Sequence, residues 1–284
     1  MRGRTIRWGA LLYMLAAAPA AAQQRPLVTE DPEVIGAGLV LIEGGFDYSR
    51  DAVYPASGLE GNLLRIPMLG VSFGISSIAE LQIDGGIHNR LAITHTGVGT
   101  APLAGQLDLT GDTTSDVDDI VVATKIRLAG ETAGHPAFAL RFATKLPNAS
   151  NESGLGLDTT DFHVQGLIGK TVRSLRIVGN IGLGVLGDPT QGANQNDVLT
   201  YGFSLARAVK EGVELVGEVN GRASTRSGTP PEGTESRSII RLGGRFTRGT
   251  VRLDGGILLG ITSLDPSFGF TAGATWVFKG FGVP

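Results

Sequence analysis

The side chains that could carry out chemistry in this sequence are few and widely spaced. Its histidines are His88, His95, His135 and His163, and it has no cysteine. A catalytic histidine needs a nucleophile within hydrogen-bonding distance, and no spacing in the sequence predicts such a pair. No combination of His, Asp and Glu has the spacing of a zinc site. We therefore predict no enzyme activity, no metal and no cofactor.

Charged and large apolar side chains alternate along many segments of the chain. In VELVGEVNGR (213–222), Val213 and Val219 lie on one side of an extended strand, whereas Glu214 and Glu218 lie on the other. Successive side chains of a β-strand point to opposite faces of its sheet. Each such segment is therefore predicted to be a strand with one apolar face and one polar face.

Twelve segments show this alternation: 38–48, 62–75, 78–90, 119–129, 136–146, 160–171, 174–186, 198–209, 212–223, 237–248, 250–262 and 267–278. A tilted strand needs about 9–11 residues to cross a bilayer, whereas strands of globular proteins average about five or six. A soluble β-sandwich, the alternative, would have strands of the shorter kind. Long loops alternate with short turns between the segments. The sequence therefore predicts an all-β fold, a transmembrane antiparallel up-and-down β-barrel of about 12 strands over residues 38–278.

The polar face of each strand would line the lumen of this barrel. The predicted lumen-lining residues are Arg65, Glu80, Asp84, Lys125, Arg127, Arg141, Lys145, His163, Arg176, Glu214, Glu218, Arg241, Arg245, Arg252 and Asp254. Two interpretations remain open. The charges could line a narrow channel and select solutes, or they could pair across the interior and close it. Barrels of about eight strands are filled by side chains, and those of about 16 strands enclose a pore. A count of about 12 strands therefore does not distinguish an open lumen from a closed one.

The two ends of the chain indicate a secreted protein. Residues 1–22 combine arginines, a short apolar run and Ala20–Ala22, which is the pattern of a cleaved secretory signal peptide. Residues 23–37 would form a periplasmic lead, which could fold into the lumen as a small plug. The last strand, FGFTAGATWVF, has aromatic residues toward both ends of one face, as in the interfacial girdles of barrels. Residues 279–284 would be a C-terminal tail.

The loops between the predicted strands are polar. The stretch DLTGDTTSDVDD (108–119) could offer oxygens to Ca²⁺, but it lacks the glycine and glutamate pattern of an EF-hand. We interpret it as a solvated external loop, or as one bridged to lipopolysaccharide by divalent ions. The net charge of −3 without basic clusters is unlike that of a nucleic-acid-binding protein.

Three stretches carry a family resemblance. VTEDPEVIGAGLVLIEGGFDY (28–48) joins an acidic lead to a strand with an inward Glu43, and SDVDDIVVATKIRL (115–128) leads into a strand with an inward Lys125. ALRFATKLPNASNESGLGLDTTDFHVQGLIGK (139–170) has a Lys-Leu-Pro strand end, a glycine-rich loop and a following strand. With the strand pattern, they resemble the MetA-pathway-of-phenol-degradation family of outer-membrane transporters. The resemblance implies a barrel, uptake of aromatic or other hydrophobic compounds, and no catalysis.

These patterns predict a porin-like channel or transporter for small solutes in the outer membrane of a Gram-negative bacterium. Loops 91–118, 147–159 and 224–236 would gate it. Its expected partners are outer-membrane lipid, lipopolysaccharide, the barrel-assembly machinery and the solute, with no nucleic acid. The alternative is a structural or surface-interaction barrel with a closed, salt-bridged lumen. A barrel enzyme acting on lipid is the third and least favoured hypothesis.

Overall fold

The computed structural model describes residues 25–97 and 100–282. The predicted signal peptide, residues 1–22, lies outside the described residues. None of the helical turns in the described ranges is long and apolar enough to cross a membrane.

Within the described residues, 14 β-strands form one antiparallel sheet. They are β1 (Leu39–Tyr54), β2 (Leu59–Gly74), β3 (Ala79–Gly86), β4 (Asn89–Thr96), β5 (Thr113–Asp116), β6 (Val121–Ala129), β7 (Ala137–Lys145), β8 (Asp161–Val172), β9 (Leu175–Gly187), β10 (Gln195–Lys210), β11 (Val213–Ser224), β12 (Arg237–Arg248), β13 (Val251–Gly260) and β14 (Phe268–Lys279). A single 3-10 turn, Ala104–Gln106, lies between β4 and β5.

The sheet closes on itself because β1 pairs with both β2 and β14. The closed ring contains 12 strands, in the order β1, β2, β3 and then β6 through β14. Closure leaves no unpaired strand edge around the ring, which is the condition for a sheet that faces lipid. The predicted up-and-down barrel of 12 strands is therefore confirmed.

The other two strands, β4 and β5, extend the barrel at one end. β2 pairs with β3 through residues 68–74 and with β4 through residues 59–65. The two stretches are separated at Pro67, which has no N–H to donate to the ladder. β4 in turn pairs with β5. Part of the predicted loop 91–118 is therefore strand, and the long loop expected after β1 is only the turn at residues 55–58.

The two faces of the barrel differ as the alternation predicts. On β12 and β13, Leu242, Phe246 and Leu253 point outward and are about half exposed. Their neighbours Arg245 and Arg252 point inward and are buried. A charge on the lipid-facing side near the bilayer midplane would cost about 2–4 kcal/mol, so the alternation keeps charges off that surface.

The two ends of the barrel have different connections. The end that carries the short turns 75–78, 173–174, 211–212 and 249–250, here called the turn end, also receives the chain before β1 and after β14. The opposite end, the loop end, carries the segments 97–112, 146–160, 188–194, 225–236 and 261–267. Loops pack on each other there: Leu157 lies against Gly233, and the Ser57 hydroxyl donates to the Gly154 carbonyl at 2.8 Å.

Candidate functional site

The N-terminal segment, residues 25–37, runs through the interior of the barrel before β1 begins. Leu27, Thr29, Glu30 and Val34 are all buried. The segment forms hydrogen bonds or ion pairs with strands all around the ring, including β3, β6, β9, β11 and β14. Small residues on the walls leave room for it, since Thr29 lies against Gly202 of β10.

Acidic residues of the N-terminal segment meet basic residues of the wall. The Glu30 carboxylate lies 3.3 Å from Nζ of Lys125 and 2.9 Å from Nε of Arg141. Nζ of Lys125, which is fully buried, also lies 3.0 Å from the carboxylate of Glu80 on β3. A buried charge is tolerated only when partners compensate for its lost hydration. The segment and the wall therefore stabilise each other's charges.

Two further ion pairs extend this contact toward the turn end. Nη2 of Arg176 on β9 lies 2.6 Å from the Asp31 carboxylate, and Nη1 of Arg127 on β6 lies 2.5 Å from the Glu33 carboxylate. The backbone N–H of Ile35 donates to Glu80 at 2.7 Å.

The beginning of the segment is held on the opposite wall. Arg25 lies 3.5 Å from the carboxylate of Asp254 on β13, and its carbonyl accepts a 2.8 Å hydrogen bond from Nε of Arg245. The Glu218 carboxylate accepts 2.8 Å hydrogen bonds from the backbone N–H groups of Val28 and Thr29. These contacts fix the backbone of the segment as well as its side chains.

The remaining predicted lumen residues pair within the wall or line a cavity. Arg241 donates to Glu218 at 3.1 Å, and Glu214 lies 4.0 Å from Arg245 and 3.7 Å from Arg252. Lys145 lies 2.8 Å from the Asp119 carboxylate, near the loop end. Arg65, Asp84 and His163 line an internal cavity toward the loop end.

Two cavities occupy the interior, one on each side of the N-terminal segment. The cavity toward the loop end has a volume of about 800 Å³, and the one toward the turn end about 590 Å³. Leu27 and Thr29 line both cavities. The segment is therefore the partition between them.

The wall of the loop-end cavity includes basic residues that the sequence-based list of lumen residues did not contain. Arg222 of β11 and Arg237 of β12 are direct cross-strand partners and both line this cavity. Period-2 alternation could have identified them, because Arg222 shares a face with Glu218, and Arg237 shares one with Arg241. Both residues lie within predicted strands, 212–223 and 237–248, so the omission was not caused by the strand bounds.

One connection at the turn end, between β6 and β7, contains a carboxylate that contacts two neighbouring strands. Glu131, in the connection between β6 and β7, accepts hydrogen bonds from the backbone N–H and the hydroxyl of Thr171 and pairs with Arg176 and Lys170. Partial burial acts to raise the pKa of Glu131, but the Thr171 hydrogen bonds and the Arg176 charge outweigh it and lower the pKa below its usual value. Glu131 thus ties this connection to β8 and β9.

Metal-ligating geometry is not found in the part of the chain that the structure describes: it holds no group of three or more His, Asp or Glu side chains arranged to bind an ion. Two aspartates of 108–119 take part in loop contacts. Asp119 accepts hydrogen bonds from the N–H groups of Asn148 and Ala149, and Asp116 accepts one from Ser150.

Comparison with known proteins identifies the fold and no family. No family model matches the chain, and no curated protein matches it in sequence. Among solved structures, the chain is similar to the COG4313 outer membrane channel from Pseudomonas putida F1, with a TM-score of 0.59 and 13% identity over 87% of this chain and 98% of that one. It is also similar to the NanC porin, with a TM-score of 0.50 and 7% identity over 84% of this chain and 98% of that one. At these identities the similarity shows a shared fold alone.

Proposed function

We propose that this protein is an outer-membrane channel for small solutes, in which the N-terminal segment is a plug that closes the lumen. The observation that carries the proposal is the position of this segment between two cavities of about 800 and 590 Å³. A barrel whose only role was structural would need no such spaces on both sides of a separate segment. The channel and porin folds that the chain resembles are consistent with the proposal.

The orientation follows from the usual plan of bacterial barrels, in which short turns face the periplasm and long loops face the outside. The turn end would then be periplasmic, and the loop-end cavity would be the external vestibule. Residues 1–22 would direct secretion, and the barrel-assembly machinery would insert the chain beside lipopolysaccharide. The family resemblance of 28–48, 115–128 and 139–170 favours an aromatic or hydrophobic solute. No catalytic role is proposed.

A structural barrel with a permanently closed lumen is the second candidate. It is favoured by the ion pairs of Glu30, Asp31 and Glu33 with the wall, which tie the segment down at many points. The two candidates differ in one property, because a channel requires the segment to move and a structural barrel does not.

A reversible disulfide between the segment and the wall tests this difference. The sequence has no cysteine, so an introduced pair has no competitor. A Cβ atom built on Gly202 lies 3.4 Å from Cβ of Thr29, near the roughly 3.5–4.5 Å found in disulfides. We expect the T29C/G202C variant, reconstituted in planar bilayers, to be closed when oxidised and to regain the conductance of the unmodified protein when reduced.

The two single-cysteine variants are the controls, because they carry the same substitutions without the crosslink. Deletion of residues 25–37 should give larger conductance steps than the unmodified protein. Equal conductance of the oxidised and reduced double variant would show that the segment is not a gate. Absence of conductance from every variant, the deletion included, would support the structural barrel.

A further inference from the structure

The vestibule contains a pair of arginines that form no ion pair among the described residues. Arg222 and Arg237 face each other across the β11–β12 ladder, where directly opposed Cβ atoms are about 4.5–5.5 Å apart. In the part of the chain that the structure describes, no carboxylate oxygen lies within 4.0 Å of either guanidinium group. In this respect the pair differs from Arg176, Arg127 and the other arginines that hold the N-terminal segment.

Backbone carbonyls hold both side chains in place. Arg222 donates from Nε to the Glu235 carbonyl at 2.8 Å and from Nη2 to the Gly233 carbonyl at 2.6 Å. Arg237 donates from Nη2 to the Val53 carbonyl at 2.9 Å and from Nη1 to the Leu264 carbonyl. A carbonyl orients a guanidinium group but does not neutralise it. Each group has five N–H donors, so donors remain for a ligand.

Glu235, Asp161 and Asp265 act electrostatically on Arg222, and each of these carboxylates is held by another donor. Asp161 lies 3.1 Å from Nζ of Lys145. The Glu235 carboxylate accepts a 2.9 Å hydrogen bond from the N–H of Gly233. The Asp265 carboxylate accepts 2.9 Å hydrogen bonds from the N–H groups of Ser238 and Thr262. These contacts hold the Glu235 and Asp265 carboxylates on the loop backbone, and neither forms an ion pair with the arginines.

One part of the cavity wall is apolar. It contains Leu63, Leu155, Leu157, Ile239 and Leu258, whereas Arg65, Asp84, Arg141 and His163 line another part. The cavity therefore offers the charged arginine pair together with an apolar wall.

From this arrangement, and resting on the proposed channel function, we propose that the vestibule has a binding site for amphipathic carboxylates. The carboxylate bridges Arg222 and Arg237, and the apolar body lies on the leucine-rich wall. Guanidinium groups match carboxylates in a two-hydrogen-bond geometry. A bridging anion also removes the repulsion between two adjacent cations. A neutral compound of the same shape would gain the apolar contact alone.

Calorimetric titration of the full-length barrel in lipid nanodiscs tests the site, with empty nanodiscs subtracted. The probes are hexanoate, its neutral isostere hexanamide, and acetate, which has the charge without the apolar body. We expect hexanoate to bind at least tenfold more tightly than hexanamide or acetate. The R222Q/R237Q variant should lose at least tenfold in hexanoate affinity and bind hexanamide as the unmodified protein does.

Arg226→Gln is the matched control, because this arginine is exposed in the neighbouring loop 225–236 and does not line the cavity. Folding of each variant is checked by far-UV circular dichroism, and R222K/R237K serves if the glutamine variant does not fold. The lysine variant should bind hexanoate less tightly than the unmodified protein and more tightly than R222Q/R237Q. Equal affinities for hexanoate and hexanamide, or an equal loss in Arg226→Gln, would overturn the site.

The binding test does not depend on whether the plug moves, since the vestibule lies on the loop-end side of the N-terminal segment. Hexanoate binding without conductance would retain the site and reject the channel. Conductance controlled by the disulfide, together with hexanoate binding that is insensitive to R222Q/R237Q, would retain the channel and reject the site.

Discussion

Arg176 and Asp31 are joined by two hydrogen bonds, from Nε to Oδ2 at 2.8 Å and from Nη2 to Oδ1 at 2.6 Å. The pair connects β9 to the N-terminal segment, and its members are 145 residues apart in the sequence. Arg176 also donates to Glu131, which belongs to the connection between β6 and β7. One arginine thus links a strand, a connection and the segment that divides the lumen.

Asp31→Asn should loosen the N-terminal segment without unfolding the barrel. The substitution removes the charge-assisted contact with Arg176, a loss of about 1.5–3 kcal/mol for a hydrogen bond to a charged group. Barrel closure depends on strand pairing and not on this pair. We expect the amides of residues 27–35 to exchange with deuterium at least tenfold faster, as measured by mass spectrometry, while the amides of β9 keep their protection.

Asp112→Asn is the control for this experiment, because Asp112 is an exposed residue of the loop 97–112. It should leave the exchange of the segment unchanged. If Asp31→Asn has no effect on exchange in residues 27–35, the ion pairs do not hold the segment in the lumen.

Lys125→Met should cost about 3–5 kcal/mol in the free energy of unfolding, because it leaves the carboxylates of Glu30 and Glu80 buried without their shared cation. Adding Glu80→Gln should recover part of this loss, since it removes one of the two carboxylates that lost this cation, whereas the other, Glu30, keeps its contact with Arg141. Urea unfolding in lipid vesicles, followed by circular dichroism, measures both effects. Lys210→Met is the control, because Lys210 is exposed at the end of β10, so a change within about 0.5 kcal/mol is expected.

An additive result for Lys125→Met and Glu80→Gln would contradict this account, because residues that share a buried network are expected to be coupled. A coupling that appears only in chains that retain residues 25–37 would show that Glu30 of the segment takes part.

The faces of the strands could be predicted because each strand carries its own alternation. Leu253 and Asp254 are neighbours in the chain, so the pattern alone places one outside and the other inside. Pairing partners are a non-local property. Lys125 meets Glu30 across 95 residues of sequence, and nothing in the periodicity of β6 indicates this partner.

The sequence left open whether residues 23–37 fold into the lumen, because this segment has no periodicity. Its acidic residues Glu30, Asp31 and Glu33 indicate only a polar segment before the first strand. Their contacts depend on basic residues of several strands. The sequence left two interpretations open, in which the lumen charges either line a channel or pair across the interior. Both assumed that the ion-pair partners of the wall residues also lie on the wall. In the structure many of those partners lie on the segment.

The strand extensions β4 and β5 were missed for a different reason. They lie outside the closed ring of 12 strands, where both faces can be polar and alternation is no longer required. The sequence therefore predicts a loop at THTGVG (94–99). Leu91, shortly before it, is buried among Ala52, Leu59 and Leu63.

Glu131 should contribute stability that depends on pH. Its folded-state pKa is lowered from the usual 4.5, so its contribution is present above the pKa of the unfolded chain and is lost as pH falls through the lower folded-state pKa. The difference in unfolding free energy between the unmodified protein and Glu131→Gln should therefore be largest near about pH 6 and decrease toward about pH 3. Urea unfolding at a series of pH values measures it.

Thr171→Val is the second variant in this series, because it removes the hydroxyl that donates to Glu131 at 3.1 Å and leaves the backbone N–H in place. It should reduce the pH-dependent contribution without abolishing it. A difference between the unmodified protein and Glu131→Gln that stays constant over the whole range would mean that Glu131 gains nothing from these hydrogen bonds.

Ile257→Arg tests which surface of the barrel faces lipid. Ile257 points outward from β13, 39% exposed, between Leu242 and Phe270 on the neighbouring strands. An arginine near the bilayer midplane costs about 2–4 kcal/mol, so unfolding in lipid vesicles should require correspondingly less urea. Ser263→Arg, exposed beyond the end of β13, should change stability little because its side chain reaches water. Equal stability of the two variants in vesicles would place the Ile257 surface in water and contradict a membrane-spanning barrel; a loss confined to Ile257→Arg supports it.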